Sequence, residues 1–425
     1  MKSIDRRQFM GKSLTGIAAA FLLPVNAGAG STIKYQPYHN DTRADDETFW
    51  KLVKSQFSLE DGLLYFNNGS LGPSPEYVID KTERFRRTLD GFPSRYMWGG
   101  WNDQKEDVRK RIAAYFSVDS EEIAIIHNTT EGMNLFARSF DLKAGDEIIL
   151  ADHEHRTGVA PYEYFCEARG VKLVRPVLPI LPSDQEEIID IYKKSITGKT
   201  RLISMVHMTN TNGMFLPVRE VSEIAHSKGI NVCVDAAQTA GMVKTSLGDL
   251  GCDFYAASGH KWLFGPKGTG VLWAAKDKQH MLKPLILSNN WENINIRMFE
   301  DYNTRNLPEL LGLGSAVDYN NLIGQERKEQ RIYMLKKYFR NQFEDDRRFD
   351  FKTPGPDNMS CGIQVIEVRG KEATDVQKHL FDKYGIDCRP MTSHNLNALR
   401  ISLSVFNTIE DVGILVEGLK QYAAK

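Results

Sequence analysis

The chain has 425 residues, of which 41% are hydrophobic and 26% are charged, and its formal net charge is −1. A chain of this length is expected to form a large domain with a smaller one attached. The near-neutral charge provides no basic surface for nucleic acid, and no apolar run reaches the roughly 18 residues that would give a stable membrane span. We therefore expect a small molecule, or a second copy of the chain, as the partner.

Residues 1–30 have the pattern of a targeting signal. Arg6-Arg7 precedes an apolar run, and the small residues Ala27-Gly28-Ala29 follow it. This order is typical of a twin-arginine (Tat) signal, cut after residue 29, which sends a folded protein through the Tat translocase to the periplasm. The alternative is an ordinary disordered basic tail. Residues 31–45 are polar and are predicted to form a linker.

The five cysteines are odd in number, and no two of them are spaced C-x-x-C. Neither a disulfide framework nor a zinc ribbon is therefore indicated, and we expect most of the thiols to be reduced. Cys233 lies in an apolar run and is predicted to be part of the core.

Secondary structure is predicted in chain order from the spacing of apolar residues. A helix over 46–60, a short strand over 63–66 and two helices over 75–90 and 102–116 come first. Strands and helices then alternate, with strands at 123–126, 147–150, 171–174, 201–206, 230–234, 254–257 and 270–273 and helices at 131–140, 161–169 and 219–228.

This alternation predicts an α/β fold with a doubly wound, mostly parallel sheet, in which ligands bind at the carboxyl ends of the strands. A second α/β pattern follows a charged helical stretch, with strands at 362–368 and 399–403 and helices at 373–383 and 410–424. We expect a large domain over 46–309 and a smaller C-terminal α/β domain over 310–425.

Polar residues follow two of the predicted strands. Asp235 ends the strand at 230–234, with Gln238 three residues later, and Lys261 lies in the turn after the strand at 254–257. Strand ends in a parallel sheet meet at one edge, so these side chains are expected to lie together. Taken singly, such a lysine is typical of a surface turn, and such an aspartate of a helix cap. Lys267 is the rival lysine, and its glycine-rich surroundings indicate a plain turn.

Two further segments follow strands. Thr129 and Thr130 precede a helix, where hydroxyls and free N–H groups are able to bind an anion, although the same pattern serves as a simple N-cap. His153-Glu-His155 follows the strand at 147–150. No metal site is expected there, because no third ligand occurs at a useful spacing. A histidine in this place is able to lie flat over a ring-shaped ligand.

In this order, the residues resemble the class V aminotransferase family of pyridoxal 5′-phosphate (PLP) fold type I, which includes cysteine desulfurases and isopenicillin N epimerase. The resemblance spans 46–425, and its most specific part is V-D-A-A-Q at 234–238 followed by S-G-H-K at 258–261. It implies a PLP enzyme that holds its cofactor as an imine on Lys261. Such a cofactor needs a carboxylate at its pyridine nitrogen, a flat cover and an anion site.

The resemblance also implies a role for each candidate residue. Asp235 would pair with the pyridine nitrogen, Gln238 would lie near the phenolic oxygen, and His155 would stack on the ring and act with Lys261 in catalysis. Arg400 would bind a substrate carboxylate as a fork, and Asn68 would be a further substrate contact. The remaining cofactor contacts would be Thr129, Thr130, Asn210, Ser258 and His260.

The segment Asn303-Thr-Arg-Asn306 resembles a loop that dimers of this family donate to the phosphate site of the neighbouring subunit. The resemblance therefore implies a homodimer with shared active sites, in which Thr304 crosses to the partner.

The chain departs from the cysteine desulfurase pattern between residues 385 and 400. The loop cysteine that would carry a persulfide is absent, and Cys388 stands where desulfurases have an apolar strand residue. The opening at 65–73, YFNNGSLGP, looks more like the isopenicillin N epimerase branch. We expect an epimerase-like enzyme acting on an amino acid; C–S lyase or desulfurase-like chemistry and transamination are the alternatives.

Two other questions stay open at this point. The aromatic residues Tyr96, Trp98 and Trp101 either line the substrate pocket or pack in the core. A hypothesis from a different class is a non-catalytic periplasmic binding protein built on the same fold.

Overall fold

The computed structural model describes residues 43–289, 291–293 and 295–425. The predicted Tat signal and nearly all of the predicted linker lie outside the described residues. Within the described part of the chain, no helix is long and apolar enough to cross a membrane.

The central element is a seven-stranded sheet that confirms the predicted α/β class. Its strands run in the order β2-β8-β7-β6-β5-β3-β4, and β8 runs in the opposite direction to the other six. These strands are β2 (Ile123–Ile126), β3 (Glu147–Ile149), β4 (Lys172–Val174), β5 (Thr200–Val206), β6 (Asn231–Asp235), β7 (Phe254–Ser258) and β8 (Gly270–Ala274).

Both faces of this sheet are covered, which explains its continuous apolar runs. Successive residues of β2 enter different cores: Ala124 and Ile126 belong to one buried cluster, Ile123 and Ile125 to the other. The helices of the described chain are α1 (Glu47–Lys54), α2 (Glu76–Gly91), α3 (Asn102–Phe116), α4 (Thr129–Ser139), α5 (Arg156–Arg169), α6 (Gln185–Ser195), α7 (Val218–His226), α8 (Leu307–Ile323), α9 (Gln325–Asn341), α10 (Ala373–Tyr384) and α11 (Ile409–Ala423), with short helical turns between some of them.

A second, antiparallel sheet of four strands lies in the C-terminal part of the chain, in the order β12-β13-β10-β9. It packs against α10 and α11 around its own buried cluster. Its strands are β9 (Phe349–Phe351), β10 (Ile363–Val368), β12 (Arg389–Met391) and β13 (Ala398–Ser402).

The N-terminal segment contacts this C-terminal part. Strand β1 (Leu64–Tyr65) pairs in parallel with β11 (Ile386–Asp387), and Phe66 belongs to the same buried cluster as β13. Helix α8 runs through the predicted domain boundary at residue 310. No break in secondary structure marks the boundary at this position, and the boundary stays a prediction.

Three helices differ from the expectation. Helix α1 ends at Lys54, whereas the sequence predicted a helix over 46–60. The sequence predicted that helix α5 starts at Pro161, since proline favours the first turn of a helix. In the structure, this helix begins at Arg156. The true start is capped by the His155 side chain, which accepts a hydrogen bond from the Thr157 N–H. Helix α6 was not predicted, although Asp184 caps it and its apolar residues face the core.

Candidate active site

The carboxyl ends of the parallel strands surround a cavity of about 270 Å³. Strands β5, β6 and β7 end at its wall, as the strand-end rule predicts. A wider surface groove of about 400 Å³ near Lys244 contains none of the predicted site residues. The cavity is lined by Ser70, Asn128, Thr129, Thr130, Met133, His155, Thr157, Val206, Met208, Asn210, Asp235, Ala237, Gln238, Ser258, His260 and Lys261. All the predicted contacts except Asn68, Thr304 and Arg400 are therefore brought together.

Lys261 lies in the turn that follows β7, and this turn is held from two sides. The Gly259 N–H donates to Thr269 O (2.8 Å), and the Gly72 N–H donates to His260 O (2.9 Å). A side chain at position 72 would meet the carbonyl of Lys261 at 1.9 Å, so glycine is required there. The turn therefore has a fixed geometry.

The environment of the Lys261 amine favours a reactive, neutral form. No hydrogen bond to its Nζ occurs within the described residues, and burial lowers its pKa to about 8, with Asp235 opposing the shift. Neutral amine is thus available near physiological pH, which is the form that attacks a carbonyl.

Asp235 ends β6 and is only 6% exposed. Its Oδ1 accepts a hydrogen bond from the Ala237 N–H (2.9 Å). Burial raises the pKa of this carboxyl, while the charges of Lys261 and His155 pull it down. A buried carboxylate with one occupied oxygen suits a protonated ring nitrogen as its partner.

Gln238 is already engaged on both sides of its carboxamide. Its Nε2 donates to Gly69 O (2.8 Å), and its Oε1 accepts from Trp262 Nε1 (2.9 Å). The second hydrogen on Nε2 is left for a phenolic oxygen in the cavity.

The start of α4 gives part of the cavity wall the character of an anion site. Asn128 caps α4 with its side chain, so the hydroxyls of Thr129 and Thr130 are not used as caps. The Thr129 N–H and hydroxyl both contact Ser258 Oγ, at 3.2 and 2.8 Å. Hydroxyls grouped at a helix N-terminus suit a phosphate. Burial lowers the pKa of neighbouring His260 to about 4, so its ring is neutral near pH 7.

His155 lies on the cavity wall at the start of α5. Its Nδ1 and the Thr157 hydroxyl are 2.8 Å apart, and this contact orients the ring. Burial lowers its pKa, and the charge of Asp235 raises it.

Arg400 lies on β13 behind the cavity wall and is 1% exposed. Its guanidinium donates to Asn210 O (3.2 Å), Ser70 Oγ (2.7 Å) and Asn67 Oδ1 (3.3 Å), all of them neutral acceptors. Burial lowers its pKa to about 9, and the charge of Arg389, its cross-strand partner on β12, lowers it further. A buried guanidinium is usually paired with a carboxylate that neutralises its charge. Here, an anionic group of a ligand would provide that negative charge.

Two predicted residues lie apart from the cavity. Asn68 is fully buried, and neither Nδ2 nor Oδ1 has a partner within the described residues. Thr304 is exposed on this chain, outside its own cavity. Both roles stay predictions.

Sequence reasoning missed several residues of the site. Ser70 was part of the recognised opening turn but received no role, and it now lies between Arg400 and the cavity. Arg389 stands opposite Arg400 in the sheet, and no motif marked it.

The aromatic residues before α3 do not line the cavity. Trp101 is buried, with its ring centroid 4.9 Å from that of Tyr96 and the planes tilted by 37°, whereas Trp98 is 58% exposed. Core packing is thus what the structure shows for Tyr96 and Trp101.

The cysteines also lie outside the cavity. All five are buried and free, and Cys233 is in the core as predicted. Cys388 packs in the core of the four-stranded sheet, where burial raises the pKa of its thiol. No thiol in the described part of the chain faces Lys261.

Together, the sheet and cavity define a PLP enzyme of fold type I. A lysine amine, a buried aspartate, an imidazole on the wall and a hydroxyl-lined helix start are the groups that PLP needs, so the residues fit the cofactor. The alternative of a non-catalytic binding protein is thereby set aside.

Comparisons with known proteins agree. The family model for aminotransferase class-V matches residues 64–415, and the chain belongs to this family. An isopenicillin N epimerase from Amycolatopsis lactamdurans is 29% identical over 393 residues, which cover 88% of this chain and 98% of that protein. A cysteine desulfurase from Escherichia coli is 30% identical over 389 residues, covering 84% and 93%. The crystal structure of the cysteine desulfurase CsdA from Escherichia coli superposes with a TM-score of 0.76 at 24% identity, covering 88% of this chain and 98% of that chain.

Proposed function

We propose that this PLP enzyme moves the proton at the α-carbon of an amino acid, in the manner of the isopenicillin N epimerases that it resembles. The observation that carries the proposal is the buried Arg400 guanidinium, which has only neutral partners and lies beside the cavity that holds Lys261. A substrate α-carboxylate would supply the missing negative charge.

When bound, PLP acts as an electron sink that acidifies the Cα–H bond of an amino acid. Lys261 is the group placed to take that proton, because its pKa of about 8 leaves part of the amine neutral near pH 7. Asp235 would pair with the ring nitrogen of the cofactor, and His155 would cover the ring from the cavity wall. Arg400 and Ser70 orient the carboxylate, which selects the bond that is activated.

The absence of a thiol on the cavity wall supports proton transfer over desulfuration. A desulfurase of the persulfide type needs a reactive cysteine that reaches the substrate, and reactivity requires an accessible thiolate. Cys388 is 2% exposed and its pKa is raised. Elimination and transamination need no thiol, and the experiment below distinguishes them.

The test is a screen of L-amino acids with the purified enzyme in D₂O. We expect at least one substrate to acquire Cα deuterium and to form its D-isomer, as seen by mass spectrometry and chiral chromatography. Pyruvate with ammonia or sulfide would instead show elimination, and an oxo acid formed only with an amino acceptor would show transamination. Arg400→Gln should abolish the exchange. Arg369→Gln, which changes an exposed arginine directly after β10 of the same sheet, should not change it.

We also propose a homodimer in which Thr304 completes the partner's phosphate site. The support is the family resemblance of the 303–306 segment and the exposure of Thr304. Light scattering should give twice the chain mass, and Thr304→Ala should weaken PLP binding. Thr88→Ala, at an exposed helical threonine, is the matched control. A monomer with full activity would contradict this proposal.

Export through the Tat translocase is proposed from residues 1–30. Replacing Arg6-Arg7 with Lys-Lys should keep the protein in the cytoplasm in cell fractionation. Unchanged export would contradict a Tat signal.

A further inference from the structure

Three potential ligand groups meet beside the cofactor cavity without lining it. Asp152 and His153 follow β3, and His394 comes from the loop between β12 and β13. One ligand atom from each residue lies within 4.8 Å of the other two. The sequence did not indicate this grouping, because His153 and His394 are far apart along the chain.

His153 is a buried polar side chain whose ring nitrogens lack well-formed hydrogen bonds. It is 1% exposed, and neither Nδ1 nor Nε2 makes a hydrogen bond of good geometry within the described residues, with only a weak interaction from the Leu178 backbone. Its ring stacks on that of His394, with centroids 4.4 Å apart and planes at 27°. Buried imidazole nitrogens without partners require an explanation, such as an ion that is bound in the complete protein.

His394 is arranged to present a lone pair. Its Nε2 lies 3.1 Å from Asp152 O, and since a carbonyl only accepts, Nε2 carries the hydrogen. Nδ1 is then the unprotonated nitrogen, and it is buried without a partner. Metal-bound histidines commonly use one ring nitrogen as ligand while the other donates to a carbonyl in this way.

Asp152 offers the third ligand. Its Oδ1 accepts from the Leu178 N–H at 3.0 Å, which fixes the carboxylate and leaves Oδ2 for a cation. Two imidazoles and one carboxylate are a donor set that zinc and similar divalent metals prefer, whereas Mg²⁺ and Ca²⁺ prefer oxygen ligands alone.

We propose that Asp152, His153 and His394 bind one divalent cation of the zinc type, with water as a fourth ligand. Zinc–ligand bonds of about 2.1 Å place tetrahedral donors about 3.4 Å apart, so the groups need to close by about 1 Å or more. Because the lone pairs lie in the ring planes, one of the two stacked rings also has to turn about its side-chain torsions to face the cation. The cation would connect the loop before Arg400 to the segment that leads into His155. This inference does not depend on which reaction the enzyme catalyses.

The test uses the untagged holoenzyme after dialysis against EDTA and then against metal-free buffer. Isothermal titration with ZnCl₂ should show one site per chain, and Zn²⁺ should raise the melting temperature. His394→Ala, Asp152→Asn and His153→Ala should each weaken Zn²⁺ binding by at least tenfold, with the PLP spectrum retained as the check of folding. If His153→Ala does not fold, His394→Ala in its surface loop decides the question.

His226→Ala is the matched control. His226 also lies against a buried carboxylate, with Nε2 3.0 Å from Asp253 Oδ2, but that carboxylate is shared with Lys278. This variant should bind Zn²⁺ like the parent protein. The proposal is overturned if the parent binds no stoichiometric Zn²⁺, or if it binds Zn²⁺ equally well without His394 and without His153.

Discussion

Lys261 lies in the turn after β7 and Lys328 contacts the same turn from α9, but the two lysines have different environments. Lys328 reaches the turn from α9 and donates to Trp262 O and to Asn320 Oδ1, with its ammonium 3.9 Å from the centre of the Phe264 ring. Lys261 projects into the cavity and has no hydrogen bond to its amine within the described chain. Burial lowers the pKa of both. Burial alone therefore does not identify a reactive lysine; the lack of a partner beside an open cavity does.

The largest effect is expected from Lys261→Ala. The variant should lose the visible absorbance of covalently held cofactor, and activity should fall by about 10³-fold or more, because the proton-transferring amine is gone. Activity assays and absorption spectra check this. The melting temperature of the apoprotein should change little, since the amine makes no hydrogen bond within the described residues. An active variant would contradict the distinction drawn between Lys261 and Lys328.

Lys328→Met is the structural counterpart. It leaves Trp262 O and Asn320 Oδ1 without their buried donor, so unfolding in urea should require about 3 kcal/mol less free energy. Cofactor should still attach to Lys261 in the folded variant. A variant as stable as the parent would show that Lys328 is no support for the turn.

Arg400→Lys sharpens the comparison for a third buried cation. The change keeps a positive charge but loses the fork, so KM for the amino acid should rise about 10- to 100-fold. Steady-state kinetics measure it, and kcat should change less than KM. Equal KM values for the variant and the parent would show that Arg400 does not bind the substrate.

The smallest effect concerns pH. In apoprotein, the rate of PLP attachment should rise with pH and level off above about 8, because burial lowers the Lys261 pKa to that value and only the neutral amine attacks. Asp235→Asn removes the negative charge that raises this pKa, so its midpoint should fall by about one unit. Stopped-flow absorbance at several pH values checks both. A midpoint near 10 in the parent would describe a solvated lysine.

The sequence predicted much of this site because the decisive residues follow strands. Asp235 and Lys261 lie where β6 and β7 end, and strand ends of a parallel sheet share an edge. Most element positions followed from apolar spacing, with α3 and β2 matching their predicted bounds. The spacing of apolar residues was sufficient for these helices and strands because their bounds depend on neighbouring residues in the chain.

The remainder depends on contacts between distant segments. No local pattern shows that β1 pairs with β11, that Ser70 reaches Arg400, or that Lys328 supports the turn at Trp262. The meeting of His153 with His394 is of the same kind. These contacts are set by tertiary packing, which a single sequence does not display.

Reduction of the holoenzyme with borohydride, followed by peptide mass mapping, tests the central claim most directly. The account predicts that the reduced cofactor is found on the peptide containing Lys261, and on neither Lys267 nor Lys328. Label on another lysine, or none from a preparation saturated with PLP, would contradict it.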